Sequence, residues 1–276
     1  MSSPESVSFE FFPPRTDVGR EKLAHVRDEL SAFNPEFFSV TFGAGGSTRD
    51  RTLDTVLEMR KAGVDSAPHL SCISNSREEL RELVNHYREQ GIQRIVALRG
   101  DMPSGQMAGG ELKHANELIE LIREDHGDYF ELMAAAYPEM HPQAHGFESD
   151  LKFFAQKMKA GANRAITQYF FDPNAYFHFV ERVQAMGVDA PIIPGIMPIT
   201  NVENLLRFSS VCGAGVPRWL KNQLEDYQGD PASVRAFGLD VVTKLCEQLL
   251  EGGAPGLHFY TLNQSGPSMD ILNALK

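Results

Sequence analysis

From residue 7 to residue 262, short apolar runs alternate with stretches in which apolar residues recur every three or four positions. The short runs read as strands: Val7–Phe12, Phe37–Thr41, Ala67–Ile73, Ile92–Leu98, Phe130–Ala136, Arg164–Tyr169, Pro191–Ile196 and Gly256–Leu262, rich in Val, Ile, Phe or Ala. The stretches between them read as helices. Leu80, Leu83, Val84 and Tyr87 fall at i, i+3, i+4 and i+7, as do Leu151, Phe154, Ala155 and Met158, so each helix has one apolar stripe to bury. Ser47-Thr-Arg-Asp50 and Ser76-Arg-Glu-Glu79 have the spacing of a capping box, in which hydroxyl and carboxylate satisfy the first free N–H groups of a helix. Gly63, Gly91, Gly161 and Gly187 follow helical patterns, where a left-handed residue turns the chain into the next strand. Eight strand–helix units predict a closed parallel barrel, since an open doubly wound sheet usually has five or six strands. The expected fold is therefore a single α/β domain over residues 1–276, a (β/α)8 TIM barrel. At least two helical patterns, Val202–Val211 and Ala232–Leu250, precede the last strand, so an extra helical segment is expected there.

Composition narrows the function. With 42% hydrophobic and 23% charged residues the chain can bury a large core, which excludes a disordered or disulfide-stapled protein. Lys and Arg number 26 against 37 Asp and Glu, a formal net charge of -11, which argues against nucleic-acid or anionic-membrane partners. An anionic ligand would have to be caught by local cations. Cys72, Cys212 and Cys246 are too scattered for a disulfide framework or zinc knuckle. The chain start has no basic segment followed by an apolar one, and no run approaches a membrane span, so a cytoplasmic protein is expected.

In a barrel of this kind chemistry sits at the carboxyl ends of the strands. In Val7-Ser-Phe-Glu-Phe-Phe12 the alternation sends Ser8 and Glu10 to the face opposite Val7, Phe9 and Phe11, so a carboxylate points into the mouth. Partial burial there would raise its pKa, as suits a general acid. A barrel-lining Glu paired to Arg or Lys fits the pattern equally well. Arg99, Gly100 and Asp101 follow the fourth strand, where a local ion pair across a tight turn is the simpler account. His69, Tyr137 and Gln168 stand at other strand ends, and it is their convergence on one rim that suggests a site. His141 and His145 lack the partners of a strong metal motif, and no metal is expected. His25, His86 and His258 read as surface or core histidines. Phe153-Phe154 and Phe170-Phe171 read as packing, whereas Phe208 could pack or stack on a ring. Neither GxGxxG, GxxxxGK[ST] nor GxSxG occurs, so nucleotide loops and a serine nucleophile are not signalled.

The phrases Ser8-Phe-Glu-Phe-Phe-Pro-Pro-Arg15, Ser39-Val-Thr-Phe-Gly43, Ala67-Pro-His-Leu-Ser-Cys72, Ile95-Val-Ala-Leu-Arg-Gly-Asp101, Ala136-Tyr-Pro-Glu139, Ala160-Gly-Ala-Asn-Arg-Ala-Ile-Thr-Gln168, Pro194-Gly-Ile-Met-Pro198 and Phe259-Tyr-Thr-Leu-Asn263, in this order, resemble bacterial 5,10-methylenetetrahydrofolate reductase. That family is a flavin-containing (β/α)8 barrel, in agreement with the strand count. The resemblance implies a ping-pong reaction in which NADH or NADPH reduces FAD and leaves. The reduced flavin then converts methylenetetrahydrofolate to 5-methyltetrahydrofolate, a source of methyl groups for methionine synthesis.

The resemblance also assigns roles. Glu10 corresponds to the general acid that protonates the folate's bridging nitrogen, and Asp101 to a carboxylate beside flavin and pterin. Gln168 corresponds to a pterin-binding amide and Phe208 to a ring stacking on folate or nicotinamide. For FAD the matching positions are Thr41, His69, Arg99, Gly100, Asp101, Tyr137, Asp150 and Lys157, with the backbone about Ala162 approaching the cofactor. Asp150 and Lys157, seven apart, would share one side of a helix. The implied partners are the folate and the nicotinamide dinucleotide, and the implied assembly a homo-oligomer. Phe153 stands where an amide is frequent, and Gln264 where Arg is common. A flavin-free pterin methyltransferase barrel and a non-catalytic folate-binding protein are the alternatives. A Schiff-base aldolase would need a strand-end Lys, which none of the strands has.

Overall fold

The structure, a computed structural model, describes residues 4–43, 49–73, 75–100 and 110–276. Its elements run β1 Val7–Phe11, α1 Asp17–Ser31, β2 Phe37–Val40, α2 Arg49–Lys61, β3 Ser66–Ser71, α3 Arg77–Glu89, β4 Arg94–Leu98, α4 Ala115–His126, β5 Glu131–Ala136, α5 Phe147–Lys159, β6 Arg164–Thr167 and α6 Pro173–Gln184. They continue with β7 Ile192–Ile193, β8 Gly195–Ile196, α7 Val202–Cys212, α8 Arg218–Asp226, α9 Pro231–Glu251, β9 Leu257–Tyr260 and α10 Gly266–Ala274. All strand pairs are parallel, in the order β7-β6-β5-β4-β3-β2-β1-β9-β8. The expected (β/α)8 barrel is present, with one refinement. Its seventh stave is two short strands on either side of Pro194, which has no N–H to give to a ladder. β7 pairs with β6 and β8 with β9, so the ring is completed through the chain at Pro194.

Alternation along the strands sorts the core into two layers. Phe9, Phe11, Phe38 and Phe259 face outward, fully buried under the helices, where they pack with Leu23, Val26 and Leu30 of α1. Each such side chain contributes roughly 1.5–3 kcal/mol by leaving water. Phe37, Ala67, Val96, Met133 and Ile166 form a separate cluster inside the barrel. The predicted helix faces hold: Leu80, Leu83, Val84 and Tyr87 are buried on α3, and Leu151, Phe154 and Ala155 on α5. Ser76 and Glu79 form the expected capping box, whereas Ser47 lies outside the described residues. Gly63, Gly91, Gly161 and Gly187 all have positive φ.

The extra segment before the last strand holds three helices, two of them expected. The third, α8, is nine residues long and buries Leu220 and Leu224, too brief a stripe to stand out in the sequence. At the amino end of the strands, Glu36, Asp65, Arg94, Glu131 and Arg164 close the barrel with a network of ion pairs. Arg94 lies 2.7 Å from Glu131, 3.2 Å from Glu36 and 3.3 Å from Asp65. Arg164 lies 3.0 Å from Glu36 and also meets Glu131. No helix among the described residues is long and apolar enough to cross a membrane.

Candidate active site

Glu10 stands near the carboxyl end of β1, in register with Ser39 of β2 and Tyr260 of β9, and its side chain points inward as the alternation requires. It is 19% exposed. His69 of β3 brings Nε2 to 3.3 Å from its Oε2, and His258 of β9 brings Nε2 to 3.8 Å from the same oxygen. Behind His258, Ser8 Oγ lies 2.7 Å from Nδ1. Neither Nε2 makes an aligned hydrogen bond among the described residues, so the two imidazoles stand beside the carboxylate in close polar contact only.

This geometry corrects the expected electrostatics. Burial would raise the Glu10 pKa, but the charge of His69, followed by polar contact with both imidazoles, outweighs it and lowers the value to about 2. Glu10 is therefore ionised near neutral pH, not a raised-pKa acid. A partner was foreseen for Glu10, but as Arg or Lys; the actual partners are two histidines from β3 and β9. His258 itself is pushed down, chiefly by burial and partly offset by Glu10, so it is neutral near pH 7. The sequence reading set His258 aside, yet its signal was present. In Leu257-His-Phe-Tyr260 the alternation sends Phe259 outward, and hence His258 and Tyr260 toward Glu10.

Two cavities open at the strand carboxyl ends. One, of about 460 Å³, is lined by Glu10, Thr41, Gln168, Arg207, Phe208 and Tyr260 among others. Gln168 follows β6, and its Oε1 accepts from the Tyr169 N–H at 3.0 Å. Phe208 comes from α7, which the extra segment folds over the mouth. Thr41 sits here and not in the second cavity. Tyr260 donates its hydroxyl to the Thr167 carbonyl at 2.6 Å, sealing the wall where β6 meets the split stave.

The second cavity, of about 360 Å³, gathers Arg99, Gly100, Tyr137, Asp150 and Lys157, five of the positions expected to hold a cofactor. Gly100 has φ +90°, and a Cβ there would lie 1.8 Å from Ser71 Oγ, so glycine is required where the chain leaves β4. Arg99 Nη2 donates to Gln143 Oε1 at 2.5 Å. Asp150, in the first turn of α5, accepts from the His141 N–H at 2.8 Å. Lys157, two turns on, donates Nζ to the Ala135 carbonyl at the end of β5. Burial, partly offset by Asp150, lowers its pKa to about 8. His114 and Phe153 add stacked rings, centroids 6.0 Å apart and 18° from parallel, with Phe153 48% exposed. Two cations, a carboxylate and open aromatic faces are the donor set a dinucleotide asks for: diphosphate, ribose hydroxyls and a base.

Other expectations fall elsewhere. Ala162 lies between α5 and the start of β6, and its N–H reaches back to the Lys157 carbonyl at 3.4 Å. In a parallel barrel that is the end opposite the mouth, so Ala162 and its neighbours do not approach this site. Asp101 lies outside the described residues. Among the described residues no cluster of His, Cys, Asp or Glu could hold a metal. His141 instead meets Tyr137 edge-on, ring centroids 4.5 Å apart. His114, His141 and Gln143 belong to the second cavity but were not singled out for it, because they sit in loops and a helix start where no period reveals facing.

Comparison with known proteins decides the family: the profile "Methylenetetrahydrofolate reductase" matches residues 2–276. The chain belongs to the methylenetetrahydrofolate reductase family. The 5,10-methylenetetrahydrofolate reductase of Pectobacterium carotovorum is 42% identical over 98% of this chain and 90% of its own length. That of Escherichia coli is 38% identical over the same shares. Arabidopsis thaliana "Methylenetetrahydrofolate reductase (NADH) 1" is 38% identical over 97% of this chain, which corresponds to 48% of the plant protein. Among solved structures, a Clostridium thermocellum protein described as binding two copies of 5-methyl-5,6,7,8-tetrahydrofolic acid superposes with a TM-score of 0.69. It covers 99% of this chain and 95% of its own at 17% identity, and so shares the fold. With membership of the methylenetetrahydrofolate reductase family comes the activity, reduction of methylenetetrahydrofolate.

Proposed function

We propose that this chain uses NADH or NADPH to reduce 5,10-methylenetetrahydrofolate to 5-methyltetrahydrofolate through FAD. In this reading FAD occupies the Arg99–Lys157 cavity, and nicotinamide and folate use the Glu10 cavity in turn. The observation that carries it is the inward Glu10 carboxylate, held between two imidazoles in a cavity that also presents an amide and an aromatic ring. The residues of the second cavity fit FAD: Arg99 and Lys157 would meet the diphosphate, Asp150 the ribose hydroxyls, and Tyr137, His114 and Phe153 flat rings. FAD, when bound, supplies a two-electron carrier able to accept and return a hydride.

Glu10, with its histidines, holds and delivers the proton. Alone in the open cavity it is ionised, so it cannot donate to the folate until it has taken up a proton. A ring system seated over the cavity would cover its exposed fifth and deepen the desolvation that already opposes its charge. Ligand binding thereby moves the proton affinity of the cluster toward that of the folate nitrogen. Gln168 and Phe208 would orient the ring, the amide by hydrogen bonds and the phenyl by stacking. Asp101 enters this reading through the family resemblance, as a carboxylate favouring positive charge on the folate.

Anaerobic stopped-flow of the two half-reactions tests the reading. Protein loaded with FAD should bleach with NADH or NADPH and regain its colour with methylenetetrahydrofolate. Glu10→Gln should keep the first step and lose the second by at least a hundredfold, the range of general acid catalysis. Colourless protein that gains no flavin spectrum, or equal loss in both halves, would overturn it.

A further inference from the structure

The folate reading leaves open how an anionic substrate stays on a chain of net charge -11. The Glu10 cavity offers little help: among the described residues that line it, the charged groups are Glu10 and Arg207. Arg207 stands on α7 beside Phe208, exposed at the rim, with its guanidinium carbon 4.8 Å from the Phe208 ring centroid. The cation–π contact holds a long side chain at the edge of the opening. Nη2 donates to Asn204 Oδ1 at 3.2 Å, and among the described residues no carboxylate pairs with the guanidinium. The remaining N–H groups face no protein acceptor among the described residues. Gln264, just after β9, is uncharged.

We propose that Arg207 reads the anionic end of the folate substrate, donating hydrogen bonds to the carboxylates of its glutamate tail once the pterin is seated at Glu10 and Gln168. This rests on the folate reading and names the group that gives it specificity for a carboxylate-bearing tail. A ring seated deep in the cavity must send its tail out past the rim, and α7 supplies there an aromatic face followed by a fork of donors. The fork suits a carboxylate better than an ammonium would, because two N–H groups can meet two oxygens. A reduced nicotinamide also carries anionic groups, its phosphates, and would use the same cavity. The proposal commits to the folate carboxylates and the experiment separates the two.

Equilibrium binding of 5-methyltetrahydrofolate and of 5-methyltetrahydropteroate, which lacks the glutamate, is measured for the FAD-loaded protein, Arg207→Gln and Arg207→Lys. For the unaltered protein, removal of the glutamate should weaken binding roughly three- to tenfold, the range of a partly exposed charge-assisted contact. Arg207→Gln should weaken the folate by the same factor and leave the pteroate unchanged, while Arg207→Lys recovers part of the loss. In turnover the loss should lie in KM for folate and not in kcat, with KM for NADH unmoved. Equal binding of folate and pteroate, or equal weakening of both by Arg207→Gln, overturns the proposal. A rise in KM for NADH with folate unaffected overturns it as well, by assigning Arg207 to dinucleotide phosphate. If the unaltered protein binds neither pterin, the folate reading itself has failed, a result distinct from all of these.

Discussion

Glu10 and its partners set how the protein responds to acid. The folded state resists protonation of Glu10 until about pH 2, whereas an unfolded chain takes that proton near 4.3. The folded state also resists a proton on His258 that an unfolded chain takes near 6.5. In both cases the unfolded chain binds more protons, so stability is full above about pH 6.5 and falls on acidification, first through His258 and then through Glu10. Denaturant midpoints at pH 7, 5 and 3.5 should decline in that order. In Glu10→Gln the decline below about pH 4.3 should become shallower, because one of the depressed carboxyls is gone while Glu36 still contributes. His258→Asn should raise the pKa of Glu10 from about 2, visible in its side-chain carboxyl NMR shift. An unmoved shift would mean that His69 alone holds the carboxylate. Lys157 gives the opposite test: with a pKa of about 8, its ammonium fades above that pH, so FAD affinity should weaken from pH 7.5 to 9.5. Lys157→Met should bind less tightly at pH 7.5 and show no such dependence.

The elements show which parts of this were legible beforehand. Alternation along β1 was enough to aim Glu10 inward, since a strand's two faces follow from period alone. It was not enough to say which staves lie beside β1, and the Glu10 pKa depends on His69 and His258 reaching across from β3 and β9. Closure of the ring, not any local pattern, supplies that proximity. Ala162 is a different case: the order of helix before strand already puts it at the end opposite the mouth, a topological check that carrying over the resemblance position by position leaves out. There the packing partner is Arg123, which donates to the Gly161 carbonyl at 2.9 Å. Arg99, Tyr137, Asp150 and Lys157 line one cavity, a grouping that the resemblance implies and that, for Asp150 and Lys157, helical spacing suggests by itself. The split seventh stave has its own sensitivity. A Cβ on Gly195 would lie 2.2 Å from the Thr167 carbonyl oxygen and 2.6 Å from the Tyr260 ring. Gly195→Ala should therefore cost about 2–3 kcal/mol by overpacking and lower the melting temperature by roughly 4–10 °C in a scanning calorimeter. Because Tyr260 borders the cavity, folate binding should weaken with it; an unchanged melting temperature would show that the stave can shift.

On the scale of the whole molecule the barrel divides its labour by end. Its carboxyl end carries Glu10 with its histidines and the two open cavities, while its amino end is closed by Arg94 and Arg164 among three carboxylates. Burial opposes the charge on Glu36, but Ser6, Arg164 and Arg94 more than compensate, and its pKa is lowered. Breaking such a network strands charges that are partly shielded from water. Arg94→Leu should cost about 2 kcal/mol, a figure reduced from that of a fully buried pair because the side chains keep some solvent contact. Unfolding in urea should show the loss, and the absorbance of bound FAD should not change. A change in flavin spectrum would reveal coupling through the barrel.

That sealed floor has a practical reading. An engineer wishing to harden the protein against heat could rework the charges beneath the staves, or exchange them for snug apolar residues, at the end of the barrel opposite the two cavities. Robustness and turnover would then be adjustable by separate hands.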